Sequence, residues 1–343
     1  MRQRYKDTFT VIGALSAILL AVLVSFPESS KPKDVSLSQL TAQSYVAEAG
    51  EGADHLATGT AGRTIGASLS SSGRNPQVRD GAVVQAGAAS LFHTTKNEVP
   101  PQVAIHGGLV ADLGSGEIYY SNHSVDKWPL ASITKLVTAV FALENIPSYQ
   151  PITITSQVRA EIGDEAGSTL PTGSSYRADD LITAMLAVSS NEAAEGLAQF
   201  YGRDAFIAGM NARLRQWGIT NTTFYDPTGL SVANQSTSED IMKIAKCIYA
   251  DYPSLYAASR ASRIMITELA SGRKEAHNNI NQFAGRVDFI GGKTGFTDEA
   301  QGNLVSLFAY ENRPIIIVVM GTDDRFGTTE TLFNWFKRTH SSR

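Results

Sequence analysis

The sequence is poor in the residues on which disulfide, zinc and iron–sulfur chemistry depends. Among its 343 residues there is one cysteine, Cys247, and there are six histidines. One cysteine excludes an intramolecular disulfide, a cysteine-ligated structural zinc site and an iron–sulfur cluster. It leaves the redox compartment open, because a chain without a second cysteine is compatible with any compartment.

Charge is scarce as well. Charged residues make up 18% of the chain, and the formal net charge is −4. A protein that binds nucleic acid by neutralising phosphates needs an excess of Lys and Arg, so a nucleic-acid partner is not expected. The hydrophobic content of 43% is sufficient for a folded core. These proportions indicate an acidic, mostly soluble protein and favour an enzyme.

Residues 1–26 have the pattern of a membrane segment. Residues 8–26 contain no charged side chain, and a helix of about 19 residues spans about 28 Å, close to the thickness of the hydrocarbon core of a bilayer. Arg2, Arg4 and Lys6 precede this run and, by the positive-inside rule, keep the N-terminus in the cytoplasm. No Ala-x-Ala-like cleavage site follows, so we expect a single-pass membrane anchor rather than a cleaved signal peptide.

Residues 27–100 have a different composition. Of the 50 residues from 41 to 90, 29 are Ala, Gly, Ser or Thr. Such a segment cannot bury enough apolar surface to offset its ordering entropy, so we predict a disordered tether over 27–100. The alternative is a segment that becomes ordered on a partner. In either case the folded domain is expected at 101–343.

The rest of the chain alternates between strand and helix patterns. Segments 108–120 and 303–320 each predict two strands joined by a tight turn. Between them, helical patterns cover 178–188 and 203–217. Strands at both ends with helices in the middle predict an α+β fold, in which an antiparallel sheet is flanked by a mostly helical region.

Two further helices follow from local signals. The capping box Ser236-Thr237-Ser238-Glu239 predicts a helix that continues through Cys247, which we expect to be a buried small apolar residue. Residues 331–339 predict a helix that packs on the sheet. The alternative for this segment is an amphipathic helix lying on a membrane, since two basic residues flank its apolar side chains.

The first of three short motifs is Ser132-Ile133-Thr134-Lys135. The pattern Ser-x-x-Lys is weak alone, because the chain contains it at three other places. Here it opens a run, 133–143, that is apolar on every side and predicts a largely buried helix. Side chains at i and i+3 share a helix face, so the amine of Lys135 can reach the hydroxyl of Ser132.

Burial gives this pair a chemical role. A buried amine without an ionic partner has a lowered pKa, and a neutral lysine beside a serine can activate that serine as a nucleophile. The alternative is that Ser132 only caps the helix and that the side chain of Lys135 extends to solvent.

The second motif is Ser189-Ser190-Asn191, at a break between two predicted helices. A hydroxyl and an amide two residues apart on a loop can point into one cavity, where the hydroxyl relays a proton and the amide holds a peptide group. The alternative is helix capping by Ser190 or Asn191.

The third motif is Lys293-Thr294-Gly295, with Gly291-Gly292 before it. A strand at the edge of a sheet with glycines on both sides allows a ligand backbone to approach closely. Lys293 and Thr294 then offer a cation and a hydroxyl to a carboxylate. The alternative is an exposed lysine in a glycine-rich turn.

Together the three motifs are specific. They occur in this order with spacings of 57 and 104 residues, and this set is the signature of penicillin-binding proteins and class A β-lactamases. The chain resembles a low-molecular-mass penicillin-binding protein of the D-alanyl-D-alanine carboxypeptidase/endopeptidase family. The resemblance runs from about His106 to Met320, and the further segments that resemble the family include the loop Tyr225-Asp226-Pro227-Thr228-Gly229-Leu230, Asn278-Asn279, and Asn303-Leu304-Val305.

The resemblance implies a fold, a location and a reaction. The fold is β-lactamase/transpeptidase-like, with an antiparallel sheet of about five strands, and the domain lies on the outer side of the membrane in a bacterial cell envelope. The substrates are peptidoglycan stem peptides ending in D-Ala-D-Ala, and β-lactams are covalent inhibitors. No metal or organic cofactor is implied.

The resemblance also implies the roles of the site residues. Ser132 is the nucleophile, Lys135 accepts its proton, and Ser189 helps to pass that proton to the leaving group. Asn191 holds a substrate amide. Lys293 and Thr294 bind the terminal carboxylate of the substrate. The backbone N–H of Phe296 forms an oxyanion hole together with the backbone N–H of Ser132. The remaining substrate-binding residues are therefore those of the third motif and the residue that follows it: Lys293, Thr294, Gly295 and Phe296.

Other functions are less compatible with the sequence. A Ser-His-Asp hydrolase of the Gly-x-Ser-x-Gly type and a His-Glu-x-x-His zinc hydrolase both lack their motifs. A class A-like β-lactamase shares fold and motifs, but the Glu-x-x-Leu-Asn loop that it needs after the second motif is absent. A non-catalytic cell-wall-binding or scaffold protein remains an alternative, although the intact motifs favour an enzyme.

Overall fold

The computed structural model describes residues 92–163 and 170–342. The predicted membrane anchor and residues 27–91 of the predicted tether lie outside the described residues. Within the part of the chain that is described, no helix is long and apolar enough to cross a membrane.

Strands of the described residues form one large sheet and several two-stranded pairs. In chain order they are β1 (Phe92–Thr94), β2 (Gly107–Asp112), β3 (Ile118–Asn122), β4 (Trp128–Pro129), β5 (Pro151–Thr153), β6 (Ser175–Arg177), β7 (Gln235–Ser236), β8 (Arg263–Thr267), β9 (Lys274–Asn278), β10 (Phe289–Thr297), β11 (Gln301–Tyr310), β12 (Arg313–Thr322) and β13 (His340–Ser342).

Helices of the described residues lie mostly between β4 and β10 in the chain. In chain order they are a 3₁₀ turn (Ala131–Thr134), α1 (Lys135–Asn145), α2 (Ser156–Ile162), α3 (Ala178–Ala187), α4 (Asn191–Tyr201), α5 (Arg203–Gln216), α6 (Ser238–Asp251), α7 (Pro253–Arg260) and α8 (Arg325–Thr339).

The large sheet is antiparallel and has five strands in the order β10-β11-β12-β2-β3. This confirms the predicted α+β fold and its five-stranded antiparallel sheet. Strand β12 lies in the middle, and its side chains alternate between two cores, since successive residues of a strand point to opposite faces. Ile315, Ile317 and Val319 pack on the α8 side, whereas Ile316 and Val318 pack on the side of the helical region.

Both predicted hairpins are present. Strands β2 and β3 pair across the first turn, and β11 and β12 pair across the second. Glu311 and Asn312 form the second turn with φ values of 49° and 62°. Positive φ at both central residues is the geometry that joins twisted antiparallel strands with two residues. Arg313 belongs to β12 and not to the turn.

Two local predictions for α6 need correction. The N-cap is Thr237, whose hydroxyl accepts a hydrogen bond from the backbone N–H of Asp240, so the capping residue lies one position later than predicted. Glu239 instead accepts a hydrogen bond from the hydroxyl of Ser124. Cys247 is partly exposed rather than buried, because it lies at the border of the buried face of α6.

Helix α8 covers one face of the sheet, as predicted for residues 331–339. Its apolar side chains are buried there, which leaves no apolar face for a membrane surface: Leu332, Phe333, Trp335 and Phe336. The helix begins six residues earlier than predicted, at Arg325, because Asp324 caps it through a hydrogen bond from the N–H of Gly327.

Folded residues begin upstream of position 101. Strand β1 pairs with β13, and Phe92 is 2% exposed. Its ring lies 5.3 Å from that of Phe336 and 5.9 Å from that of Tyr310. A strand of three residues is too short to produce a periodic sequence pattern, so its place in the fold depends on partners more than 200 residues away.

Candidate active site

Ser132 lies in the 3₁₀ turn that precedes α1. In a 3₁₀ turn the side chains at i and i+3 lie directly above one another, which brings Lys135 next to Ser132. The preceding residue, Ala131, has a φ of 47°, a conformation that costs free energy for a residue with a Cβ and is found preferentially at functional sites. Ser132 is partly exposed.

Lys135 is fully buried and its amine makes three hydrogen bonds. Nζ donates to Ser132 Oγ at 2.7 Å, to Asn191 Oδ1 at 2.7 Å and to the carbonyl oxygen of Thr228 at 2.6 Å. Burial lowers the pKa of Lys135 to about 7, against the opposing effect of the Asp226 and Glu192 carboxylates. The predicted buried lysine beside a serine is therefore present, and its side chain does not extend to solvent.

The second motif lies between α3 and α4, as predicted. Ser190 caps α4, since its hydroxyl accepts a hydrogen bond from the N–H of Ala193. Ser189 has a φ of 61° and, like Asn191, is partly exposed. Within the motif, Ser190 therefore caps the helix, whereas Ser189 accepts a hydrogen bond from Lys293 and Asn191 accepts one from Lys135.

The third motif lies on β10, which is an edge strand of the large sheet. Lys293 is buried, and its Nζ donates to Ser189 Oγ at 3.0 Å and to the carbonyl oxygen of Thr294 at 2.8 Å. Burial is the largest cause that holds the pKa of Lys293 well below its usual range, and the positive charges of Lys135 and Arg325 lower it further. The predicted alternative, an exposed lysine in a turn, is wrong.

The glycines of β10 allow close packing within the protein. A Cβ on Gly292 would lie 2.1 Å from the carbonyl oxygen of Val305 on β11, and a Cβ on Gly295 would lie 2.8 Å from that of Leu130. These glycines therefore allow β10 to pack closely against β11 and against the turn that carries Ser132. The next residue, Phe296, is 62% exposed and lies on the surface.

Sequence reasoning missed the role of Thr228. The segment around it was recognised as a family-like loop, but its contribution is a backbone carbonyl, which no side-chain pattern reveals. The Asp226 carboxylate shapes this loop by accepting hydrogen bonds from the N–H groups of Thr228, Gly229 and Ser231. Gly229 has a φ of 86°, and a Cβ there would lie 1.8 Å from the carbonyl oxygen of Ala131, so the loop packs directly on the turn of Ser132.

Arg325 was missed as well. It is the first residue of α8, and its Nη1 donates to the carbonyl oxygen of Gly295 at 2.9 Å. Burial lowers its pKa. Because it lies 32 residues after Lys293 and in another element, only the folded chain places it beside the third motif.

The three motifs form one continuous hydrogen-bonded site. Lys135 joins Ser132 to Asn191, and Lys293 joins the third motif to Ser189. Two buried amines thus lie beneath a surface of partly exposed hydroxyl and amide groups. Such an arrangement can take a proton from a serine, return it to a leaving group and hold an anion.

Known proteins resemble this chain along most of its folded part. A family model described as D-alanyl-D-alanine carboxypeptidase matches residues 94–324. A D-alanyl-D-alanine endopeptidase of Escherichia coli is 31% identical over 261 residues, which cover 74% of this chain and 83% of the relative. A D-alanyl-D-alanine endopeptidase of Pseudomonas aeruginosa is 32% identical over 253 residues, covering 70% of this chain and 78% of the relative.

A solved structure agrees in fold. The crystal structure of a D-alanyl-D-alanine carboxypeptidase from Mycobacterium tuberculosis superposes with a TM-score of 0.64 at 25% sequence identity, and the match covers 73% of this chain and 98% of that chain.

Proposed function

The chain belongs to the D-alanyl-D-alanine carboxypeptidase family and is a serine peptidase, and we propose that it cleaves the bond after the penultimate D-Ala of peptidoglycan stem peptides through an acyl-enzyme on Ser132. The observation that carries this proposal is the 2.7 Å contact between Lys135 Nζ and Ser132 Oγ, made by an amine that is buried and has a pKa of about 7. An amine with this pKa is largely able to accept a proton near neutral pH.

In the acylation step, neutral Lys135 takes the hydroxyl proton of Ser132 as Oγ attacks the carbonyl carbon of the penultimate D-Ala. The carbon–nitrogen bond then breaks, and the leaving amine takes a proton. Ser189 is suited to relay to the leaving nitrogen the proton that Lys135 took from Ser132, which returns Lys135 to its neutral form and restores the hydroxyl of Ser189. Its oxygen accepts a hydrogen bond from Lys293, so its own hydrogen is available for this relay. The product is an ester on Ser132.

The oxyanion that forms during attack needs hydrogen-bond donors. We assign this role to the backbone N–H groups of Ser132 and Phe296, with Gly295 allowing β10 to lie against the Ser132 turn. Removing one such donor typically costs about 3 kcal/mol of transition-state stabilisation. Asn191, held in place by the hydrogen bond from Lys135, presents its amide to the substrate peptide.

The terminal carboxylate of the substrate binds at the third motif. Lys293 and the hydroxyl of Thr294 lie there, and Arg325 adds a second cation through its hydrogen bond to the carbonyl oxygen of Gly295. A bound carboxylate stabilises the protonated form of Lys293 and raises its pKa. It thereby offsets the burial cost that an unpaired ammonium has at this position.

Water completes the reaction. It attacks the ester, Lys135 takes its proton, and Ser132 regains its hydroxyl, so that each cycle consumes one water and releases one carboxylic acid and one amine. A class A-like β-lactamase remains the less favoured candidate, because the glutamate-bearing loop that speeds deacylation in those enzymes has no counterpart in the sequence.

We further propose an anchor at 1–26 and a catalytic unit on the outer side of the membrane, as expected from the sequence, with the tether predicted at 27–100 shortened to end before Phe92, because β1 pairs with β13. Strand β1 joins the catalytic unit beside Thr339, at the end of α8 opposite Arg325. A helix of 15 residues is about 22 Å long. This supports attachment of the tether on the side of the domain away from the site.

A fluorescent penicillin tests the proposal. We expect one covalent adduct, on the tryptic peptide that contains Ser132, and no adduct with Ser132→Ala. The matched control is Ser271→Ala, because Ser271 also precedes a lysine by three positions but lies in an exposed turn. Labelling that survives Ser132→Ala contradicts the nucleophile assignment. Mass spectrometry of stem peptides incubated with the enzyme then identifies the bond that is cut.

A further inference from the structure

We propose that a cavity at the C-terminal end of α4 binds the glycan strand, the chain of N-acetylated amino sugars to which the stem peptide is attached. This inference rests on the proposed function, because it concerns a second part of the same substrate. The cavity has a volume of about 600 Å³, within the range of small-molecule binding sites, and lies between β5, the first turn of α2 and the end of α4. None of the described residues that line it belongs to the three motifs.

The polar side chains of the cavity suit a neutral ligand that is rich in hydroxyl and amide groups. Thr153, Ser156 and Gln157 line it and are exposed, and their hydroxyl and amide groups can both donate and accept hydrogen bonds. Arg203 carries the only charge among the described residues that line the cavity, and the Glu195 carboxylate pairs with it at 2.8 Å. An N-acetylated sugar linked to a peptide offers hydroxyl and amide groups without a net charge.

One wall of the cavity is aromatic. Phe200 lines the cavity and is 47% exposed, whereas the ring of the next residue, Tyr201, packs edge-on against that of Phe141 at 5.2 Å. An exposed aromatic ring offers an apolar surface, on which the C–H groups of one face of a sugar ring can pack. A few placed polar groups beside an aromatic side chain are the usual lining of a small-molecule site.

A second cavity lies between this site and the catalytic lysine. It has a volume of about 370 Å³, and one of its walls is Thr228, whose carbonyl oxygen accepts a hydrogen bond from Lys135. Arg203 lines both cavities, so the two adjoin at its side chain. Together they form a path that leads from the base of the active site along α4 to Phe200.

The length of this path fits the stem peptide. Asn191, to which we assign a substrate amide, begins α4, and Phe200 lies nine positions later, which corresponds to about 13.5 Å along the helix axis. In a pentapeptide stem, four residues separate the sugar from the scissile bond, and four extended residues span at most about 14 Å. A stem peptide whose penultimate D-Ala lies at Ser132 can therefore place its sugar at the end of α4 that carries Phe200.

The kinetic test compares one peptide with and without its sugar. The substrates are a pentapeptide stem and the same stem attached to an N-acetylated disaccharide, and both are cut at the same bond. We expect the wild-type enzyme to have a higher kcat/KM for the disaccharide substrate. Phe200→Ala and Gln157→Ala should each lower that value about tenfold, the usual effect of losing one fitted contact, and leave the value for the bare peptide unchanged. The matched control is Tyr249→Ala, which removes an exposed ring close to the end of α6.

A binding measurement without catalysis separates this inference from the proposed function. The probe is a chitin tetrasaccharide, an oligomer of N-acetylglucosamine that carries no peptide. Its protons should show saturation-transfer NMR signals with the wild-type enzyme and with Tyr249→Ala, but not with Phe200→Ala. Penicillin acylation at the wild-type rate shows that each variant is folded and that its active site is intact.

The outcomes are distinct. A preference for the disaccharide substrate that Phe200→Ala and Gln157→Ala abolish, together with loss of the NMR signal in Phe200→Ala, supports the sugar site. Equal kcat/KM values for the two substrates in the wild-type enzyme, parallel losses on both substrates, or a wild-type enzyme without an NMR signal overturn it and leave the proposed function standing. If penicillin does not acylate the wild-type enzyme, the proposed function is refuted, and the NMR signals alone then decide whether the sugar site exists.

Discussion

The positive charge of Lys135 lowers the pKa of Lys293. Both amines are buried, and each donates a hydrogen bond to a serine of the site, Ser132 in one case and Ser189 in the other. Because each charge disfavours the other, the site without substrate holds two protonated amines only at a cost in free energy. A substrate carboxylate that pairs with Lys293 adds a negative charge to the site and offsets this repulsion.

The rate of acylation should depend on pH through Lys135. Its neutral form is the base and its pKa is about 7, so the rate of labelling by penicillin should rise with pH and reach half of its plateau near pH 7. The rate of penicillin labelling, measured in samples quenched at fixed times from pH 5.5 to 9, gives this profile. Lys135→Arg keeps a cation that does not lose its proton and should be inactive over the whole range. A flat profile, or an active Lys135→Arg enzyme, contradicts the assignment of the base.

Stability should depend on pH for the same reason. The pKa of Lys135 in the folded chain lies below its unfolded value of 10.5, so the unfolded chain binds more protons at pH 7 to 9 and the free energy of unfolding rises with pH in that window. Lys135→Met removes the contribution of Lys135 to this pH dependence. It also weakens the contribution of Lys293, because the pKa of Lys293 increases when the nearby charge is lost. Urea unfolding should show a slope smaller by up to about 1.4 kcal/mol per pH unit in the variant. Equal slopes would refute the burial argument.

Gly229→Ala should disable the site through the loop of Thr228. A Cβ there would lie 1.8 Å from the carbonyl oxygen of Ala131, so the loop and the Ser132 turn must separate. A displacement of about 1 Å at reacting groups lowers rates about 100-fold. Gly272→Ala is the matched control: its φ is also positive, at 68°, but nothing lies within 4 Å of the added atom.

The two glycine variants differ in what they should lose. Gly272→Ala should cost about 1 kcal/mol of stability from backbone strain and leave the acylation rate unchanged. Gly229→Ala should lose acylation even at temperatures where circular dichroism shows a folded protein. If the two variants acylate at the same rate, the contact between the loop and the Ser132 turn does not control the nucleophile.

Sequence patterns predicted the parts of the site that depend on side chains in local elements. Ser132 and Lys135 were identifiable because one lysine interrupts an apolar helix, and Ser189 and Asn191 because they follow a helix whose face is clearly periodic. The five-stranded sheet was implied by the family resemblance rather than by any one strand. Burial of Lys293 depends on β10 lying at a sheet edge beneath Ser189, which the sequence indicates only through its glycines.

What the sequence did not predict are contacts made by backbone atoms or by distant elements. Thr228 acts through a carbonyl group, and Arg325 reaches Gly295 because α8 starts at Arg325, after the N-cap Asp324. The pairing of β1 with β13 joins residues at opposite ends of the folded part. Such contacts depend on how elements pack in three dimensions, and no local pattern carries that information.

Lys293→Ala should change substrate selectivity more than the chemical step. Because the cation of Lys293 pairs with the terminal carboxylate, the variant should lose about 10- to 100-fold in kcat/KM for a stem peptide with a free C-terminus. This is the usual value of a hydrogen bond to a charged group. For the same peptide with a C-terminal carboxamide the loss should be much smaller, because no anion is there to pair. Measuring all four combinations isolates the interaction between the two groups. Equal losses on both peptides would mean that Lys293 acts on the reaction through Ser189 and not through the carboxylate.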